Sequence, residues 1–273
     1  MIRNCSFSGI LLRLFILLFL FSLMFSFFFR GKSNYKDALR FIGTDMHNHI
    51  LPGIDDGSPD INVSMQLTEG LMELGFNSMV STPHIIADLY PNNASTIGNA
   101  FKTFTEAKPA DFLPGGVAFA AEYMVDYDFE NRLKINELLT FGRQKYILIE
   151  MSYLVESPNL RNMIFELVTN GLQPILAHPE RYHYYHHRLD IFEEIVDAGC
   201  MLQLNLLSLI GHYGPKIKTA GEKLIERDLI SWVGTDMHHP MHLAGLKQLA
   251  TDKKILRTLD KIKNLKNPEL KIS

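Results

Sequence analysis

From Thr44 onward, short runs rich in β-branched and apolar residues alternate with longer stretches whose apolar positions recur every three or four residues. The short runs predict seven strands, at residues 44–49, 78–82, 117–121, 146–150, 173–177, 201–205 and 231–234. The longer stretches predict helices at 59–74, 95–107, 128–140, 158–169, 189–198 and 215–227, then a last one from 241 to about 262 and a polar tail. Gly75, Gly171 and Gly199 follow three of these helices, where a left-handed residue ends a helix. No repeat or low-complexity linker interrupts the alternation, so residues 44–273 read as one parallel α/β domain.

The pattern breaks at the N-terminus. Residues 14–29 are sixteen positions without a charge, short of the roughly 20 apolar residues that span a bilayer. Starting at Ser8 reaches that length but places Arg13 inside. Residues 1–30 therefore read as a membrane anchor, holding the chain to the cytoplasmic face through residues 8–29, or as a mis-assigned start, with Met24 opening a cytosolic N-terminus. A secretory signal peptide fits less well, because no small-x-small cleavage pattern precedes Arg30 and Lys32.

Composition narrows the partners. A chain of 273 residues that is 47% hydrophobic buries a sizeable core without disulfide or metal staples. A formal charge of -3 lacks the basic excess that nucleic-acid binding leaves, so nucleic acid is not an expected partner. Cys5 and Cys200 are the only cysteines, which rules out a disulfide framework and fits a reducing, cytoplasmic compartment. Neither is followed six residues later by arginine, since Leu11 and Leu206 stand there, so a Cys-x5-Arg thiol phosphatase is excluded.

The candidate chemistry lies at the strand ends. "DMHNHILPGIDDG" supplies His47, His49, Asp55 and Asp56; "STPH" supplies His84; "AAEY" supplies Glu122; "AHPERY" supplies His178; "GTDMH" supplies Asp236 and His238. Residues two apart on a strand share a face, so His47 with His49, and Asp236 with His238, can approach one ion as pairs. A closed barrel of parallel strands gathers the C-terminal strand ends on one face, where active sites are built; an open sheet would spread them along a line. Each element has a plainer reading. A lone His-x-His is common on surfaces, His84 and His178 could be satisfied core histidines, and Asp236 could cap a helix. Glu122 follows an apolar run and needs a partner if buried. Five strands ending this way together favour metal. Imidazole and carboxylate without thiolate suit zinc, manganese or iron. Even with only one of Asp55 and Asp56 counted, eight such groups exceed one ion's needs, so two or three ions are expected, with Glu122 as a bridge.

These five motifs, in this order, resemble the polymerase-and-histidinol-phosphatase (PHP) domain, and specifically its bacterial tyrosine-protein phosphatase branch of CpsB/YwqE type, over residues 44–247. The resemblance implies a distorted seven-stranded parallel (β/α) barrel of the PHP type and a trinuclear centre that is usually manganese-dependent. It implies His47, His49, Glu122 and Asp236 around a first ion, Glu122, His84 and His178 around a second, and Asp56 and His238 around a third, with Asp55 supporting the ligands from behind. Some relatives carry an arginine just after the last motif; "DMHHPMHLAGL" has none. Arg181 is then the candidate phosphate binder, against a structural ion pair with a helix carboxylate. The implied reaction is hydrolysis of phosphotyrosine by metal-activated hydroxide, with His238 or a bound water as proton donor. The implied substrate is a bacterial tyrosine kinase that regulates capsular or exopolysaccharide synthesis. Two rivals are a phosphoesterase of a small metabolite such as histidinol phosphate and a non-catalytic kinase-binding module. His183, His186 and His187 read as a solvated loop rather than a fourth metal site, His212 and Tyr213 as pocket wall or ordinary turn, and His239 and His242 as surface residues.

Overall fold

Nine short strands, all paired in parallel, form two sheets in a computed structural model that describes residues 35–272. The readings made for residues 1–30 lie outside the described residues. Among the described residues no helix is long and apolar enough to cross a membrane. One sheet has the order β1 (Thr44–Asp45), β2 (Ser78–Ser81), β4 (Gly116–Phe119). The other has the order β3 (His84–Ile85), β5 (Glu122–Met124), β6 (Tyr146–Glu150), β7 (Gln173–Ala177), β8 (Met201–Asn205), β9 (Ile230–Gly234).

Nine strands replace the seven expected because two runs change sheets midway. The second breaks at Pro83, which has no N–H for a ladder; the amide of Thr82 donates instead to Asn48 O at 2.9 Å. The third breaks at Ala120 and Ala121, and the amide of Glu122 donates to Pro83 O at 3.1 Å. The chain then pairs His84 with Glu122 and Glu122 with Leu148 in direct register. His84 and Glu122 thus sit side by side on neighbouring strands, with Glu150 two residues beyond Leu148 on the next.

The helices are α1 (Ile61–Leu74), α2 (Ala94–Ala107), α3 (Tyr127–Lys134), α4 (Leu160–Thr169), α5 (Ile191–Asp197), α6 (Pro215–Glu226), α7 (Pro240–Leu249) and α8 (Lys253–Leu259). Asp60 starts α1 by accepting from the amides of Asn62 and Val63, and Gly75 ends it at φ 106. The Gly75 position tolerates no Cβ, which would lie 2.8 Å from the Arg40 amide. α3 stops earlier than expected because Asn136 turns left-handed at φ 57. The expected last helix is two, because Asp252 accepts from the amides of Lys254 and Ile255 and so starts α8 anew.

Burial alternates along the strands as a two-residue period requires. Met79, Ile147, Ile149, Leu176 and Val233 join the large core under the helices. Their neighbours Val80, Leu148, Ile175, Ala177 and Trp232 join a smaller cluster with Met46 and Ala120. Strands of both sheets therefore point inward at the same apolar plug.

β1 and β9 share no ladder, and side chains tie them instead. Asn267 in the tail donates to Thr44 O at 3.0 Å and Val233 O at 2.7 Å, and accepts from the Val233 amide at 2.9 Å. Buried Asp45 accepts from the amide of Thr235 at 3.1 Å and from its hydroxyl at 2.7 Å. Burial lifts Asp45 to about 6, against the lowering by Thr235. Beyond the strands, Asn48 bridges Met237 in parallel, and the Asp236 amide donates to His47 O at 2.8 Å. Asn267→Ala removes three buried hydrogen bonds from this seam and is expected to lower stability by about 2–4 kcal/mol. Urea unfolding checks this; a midpoint equal to wild type would show that Asn267 does not hold the seam.

Candidate metal centre

The chain after β1 carries His47 and His49, the starts of β3 and β5 carry His84 and Glu122, and the end of β6 carries Glu150. His178 directly follows β7, and Asp236 and His238 follow β9. His178 (φ 35) and Asp236 (φ 48) both hold left-handed backbone that non-glycine residues rarely adopt. Close backbone approach also shapes the site: a Cβ on Gly234 would lie 2.7 Å from the Cβ of His47.

The first group is His47, His49, Glu122 and Asp236, all fully or nearly fully buried. His47 Nε2 lies 3.3 Å from Glu122 Oε2, from Asp236 Oδ1 and from His49 Nε2. His49 Nε2 lies 3.3 Å from Glu122 Oε2 and 3.5 Å from Asp236 Oδ1. Edges of this length belong to a tetrahedron whose centre is roughly 2.0–2.1 Å from each corner, the reach of imidazole and carboxylate to a divalent ion.

The tautomers agree with that geometry. Gln203 spends its Nε2 on Leu204 O, so its Oε1 accepts from His47 Nδ1 at 2.7 Å. Asp55 Oδ2 accepts from His49 Nδ1 at 2.8 Å. Both imidazoles therefore turn an Nε2 lone pair toward two carboxylate oxygens, and such a set needs a cation at its centre. Without one, protons compete for the place. Burial pulls His49 down, but Asp55 and Glu122 overcome it and push it up to about 10. Burial raises Glu122 and Asp236, and the facing histidines hold both well below the usual carboxylate range.

A second group joins His84, Glu122 and Glu150. His84 Nδ1 lies 3.2 Å from Glu122 Oε2 and 3.1 Å from Glu150 Oε1, and these three buried atoms have no hydrogen-bond partner. Unpaired buried polar atoms that converge call for a ligand between them. A third group is His49, Asp56, His84 and His238. There Asp56 Oδ1 lies 3.5 Å from His84 Nε2 and 3.6 Å from His238 Nε2. His84 thus offers one ring nitrogen to each of two groups.

The model of the family described as capsular polysaccharide synthesis, CpsB/CapC, matches residues 43–255. The chain belongs to that family. It is 30% identical over 232 residues to a protein named CapC from Staphylococcus aureus, covering 83% of this chain and 89% of that one. It is 28% identical over 195 residues to tyrosine-protein phosphatase YwqE of Bacillus subtilis (strain 168), covering 71% and 77%. A solved structure, described as YwqE from Bacillus subtilis and CpsB from Streptococcus pneumoniae, unique metal-dependent tyrosine phosphatases, superposes with a TM-score of 0.72. It is 26% identical and covers 83% of this chain and 90% of that one.

Within this CpsB/CapC chain, the expected site residues do not all fall where the motifs suggested. His178 is outside the three groups; its Nε2 lies 3.0 Å from Glu122 Oε1 and 3.3 Å from the Tyr153 hydroxyl, so it flanks the second group through the other oxygen of Glu122. Glu150 stands in the second group instead, unseen in the motifs. Its signal was the one used for Glu122, a carboxylate closing a fully apolar strand, here "YILIE". Gln203, like Asn205, is a buried polar residue in "MLQLN", which a buried strand keeps only for a hydrogen bond.

Arg181 pairs with Asp236 Oδ2 at 2.8 Å rather than with a helix carboxylate. Its guanidinium lies between the rings of Tyr153 and Tyr213, at 4.5 and 4.2 Å from their centroids. Arg181 and both tyrosines line a cavity of about 550 Å³ that opens onto Asp56, His84, Glu150 and His238. The Nδ1 of His238 donates to Asp236 O at 2.9 Å, which turns its Nε2 toward Asp56, and burial together with His49 holds it down at about 4. His242 is buried, not a surface residue: its Nδ1 accepts from the His238 amide at 3.2 Å, which draws the first turn of α7 inward. His239 is half-buried beside it, at 3.9 Å between ring centroids, and both line the cavity. His183, His186 and His187 border a separate recess with Lys216 and Lys223, and belong to no metal-capable group among the described residues.

Partners behind a ligand commonly change ion affinity 10–100-fold. Asp55→Ala and Gln203→Ala are each expected to weaken divalent-ion retention by about that factor, read by competition with a chromophoric chelator. Wild-type retention in both variants would disprove the tautomer argument.

Proposed function

We propose that the chain is a metal-dependent protein-tyrosine phosphatase acting in capsular or exopolysaccharide synthesis. The observation that carries this reading is the convergence of three thiol-free ligand groups on one cavity, beside a clamped arginine. The names of the CpsB/CapC relatives support it. In the proposed assignment, His47, His49, Glu122 and Asp236 hold one ion. Glu122, Glu150 and His84, flanked by His178, hold a second, and Asp56 and His238 hold a third with the other ring nitrogen of His84. Because Glu122 and His84 are shared, the centre takes two or three ions, with manganese the proposed metal and zinc or iron as substitutes. Bound divalent ions supply Lewis acidity toward phosphoryl oxygens and an activated hydroxide for in-line attack.

The protein's own groups do the rest. Asp55 and Gln203 fix the two imidazoles. Asp236 spends Oδ1 on the first group and Oδ2 on Arg181 and Asn205, which locks the arginine to the centre. The two tyrosine rings keep the guanidinium from swinging away and leave its remaining N–H donors for a phosphate in the cavity. Burial raises the Tyr153 phenol well above its ordinary range, so it stays neutral beside that phosphate. The leaving phenolate needs little acid help, so no histidine donor is required. The inward apolar plug fed by both sheets and the β1–β9 seam support a distorted seven-stranded barrel of the PHP type. The proposed substrate is a bacterial tyrosine kinase, met in the cytoplasm or at the cytoplasmic membrane face.

Phosphate release from a phosphotyrosine peptide, with and without added manganese and beside a histidinol phosphate control, tests this reading. Metal-dependent release from the peptide is expected, falling by about 10²–10³-fold in Arg181→Ala, the loss typical when one charge-stabilising donor is removed, and by at least as much in Glu122→Ala. Release from histidinol phosphate alone would move the assignment to a metabolite phosphatase, and release from neither would favour a binding module.

A further inference from the structure

The mouth of the metal-site cavity carries apolar side chains that the fold leaves unused. Leu89 is 70% exposed and Leu154 is 93% exposed, yet both line the cavity. Val155, beside Leu154, is also exposed. Single exposed leucines are ordinary on protein surfaces, but these occupy two loops that are otherwise firmly held. After β3, Ile86 and Tyr90 exchange amide hydrogen bonds at 3.0 and 2.9 Å, which closes a tight turn with Leu89 on it. Asn92 pins the base of that turn by donating to His84 O at 3.0 Å and Ile54 O at 2.8 Å. After β6, the Tyr184 hydroxyl donates to Ser152 O at 2.9 Å, and Ser152 Oγ accepts from the Leu154 amide at 3.2 Å. The Tyr153 ring lies against Arg181 with its hydroxyl 3.3 Å from His178 Nε2, while Leu154 and Val155 remain outside. Neither leucine owes its exposure to a loose loop.

Placement indicates what they meet. β3 and β6 lie on either side of β5, so the loops that follow them, with Leu89 and Leu154, border the cavity from two different strands. A small phosphorylated metabolite seated at the ions has no atoms to cover both lips. An extended peptide whose phosphotyrosine enters the cavity carries neighbouring side chains past its mouth on both sides.

We propose that Leu89 and Leu154 are specificity-determining lips that bind apolar side chains within two positions on either side of the phosphotyrosine, so that the enzyme selects apolar-flanked sites in a protein chain. This rests on the phosphatase reading above. The test compares full-length protein and the Leu89→Ser, Leu154→Ser and double variants. The substrates are p-nitrophenyl phosphate, a phosphotyrosine peptide flanked by leucine and valine, and the same peptide flanked by serine. Wild type is expected to prefer the apolar-flanked peptide by about tenfold or more in kcat/KM, since burying one leucine is worth roughly that factor. The double variant should lose this preference through KM while keeping p-nitrophenyl phosphate turnover within about twofold. An unchanged preference in the double variant, or an equal fall on all three substrates, overturns the proposal. Wild type that cleaves p-nitrophenyl phosphate but neither peptide overturns the protein-phosphatase reading itself, and the lips with it.

Discussion

Four acceptor atoms, each imidazole nitrogen 3.3–3.5 Å from the other and from both carboxylate oxygens, set the terms for the rest of this structure. Two imidazole nitrogens whose protons are committed elsewhere and two carboxylate oxygens repel when buried together, and the fold must hold them there regardless. It does so by backbone means more than by side-chain choice. His178 and Asp236 adopt left-handed backbone, Gly234 admits His47 at a distance no side chain would allow, and Asp236 reaches His47 through its own amide. Each feature is unfavourable alone and makes sense as part of a frame built to keep an ion's place open.

That frame explains the irregular sheets. A regular ladder through residues 44–49 would have kept the first strand paired with its neighbour along its whole length. Instead only Thr44 and Asp45 pair with β2, and the following residues turn toward the chain after β9. The pairing given up there is made good by Asp45 and Asn267, whose side chains stand in for strand edges.

The strand–helix alternation and most of the polar strand ends were legible in the sequence, because each rests on local pattern: a run of apolar residues, then a histidine or carboxylate. What escaped has long-range causes. Gln203 matters because of His47, 156 residues away, and Asn267 because of Thr44, 223 residues away. No local pattern distinguishes them from an ordinary strand glutamine or a polar tail. His242 looked like a surface residue until the His238 amide gave it a partner. Glu150 was legible by the reasoning applied to Glu122, and only the lack of a following motif hid it. The strand break at Ala120–Ala121 was likewise invisible to periodicity, since the run of small and apolar residues continues while its pairing changes sheets; Pro83 marked the other break.

The position of His84 has a consequence for how the proposed centre fills. One imidazole turns Nδ1 toward Glu122 and Glu150 and Nε2 toward Asp56. A cation on one nitrogen withdraws electron density from the other, while loading beside Glu122 also alters the charge felt by the neighbouring groups. The ions are therefore thermodynamically linked: each shifts the affinity of the others by a reciprocal factor. A centre built this way has no set of independent binding constants, and its occupancy responds to metal supply as a collective property.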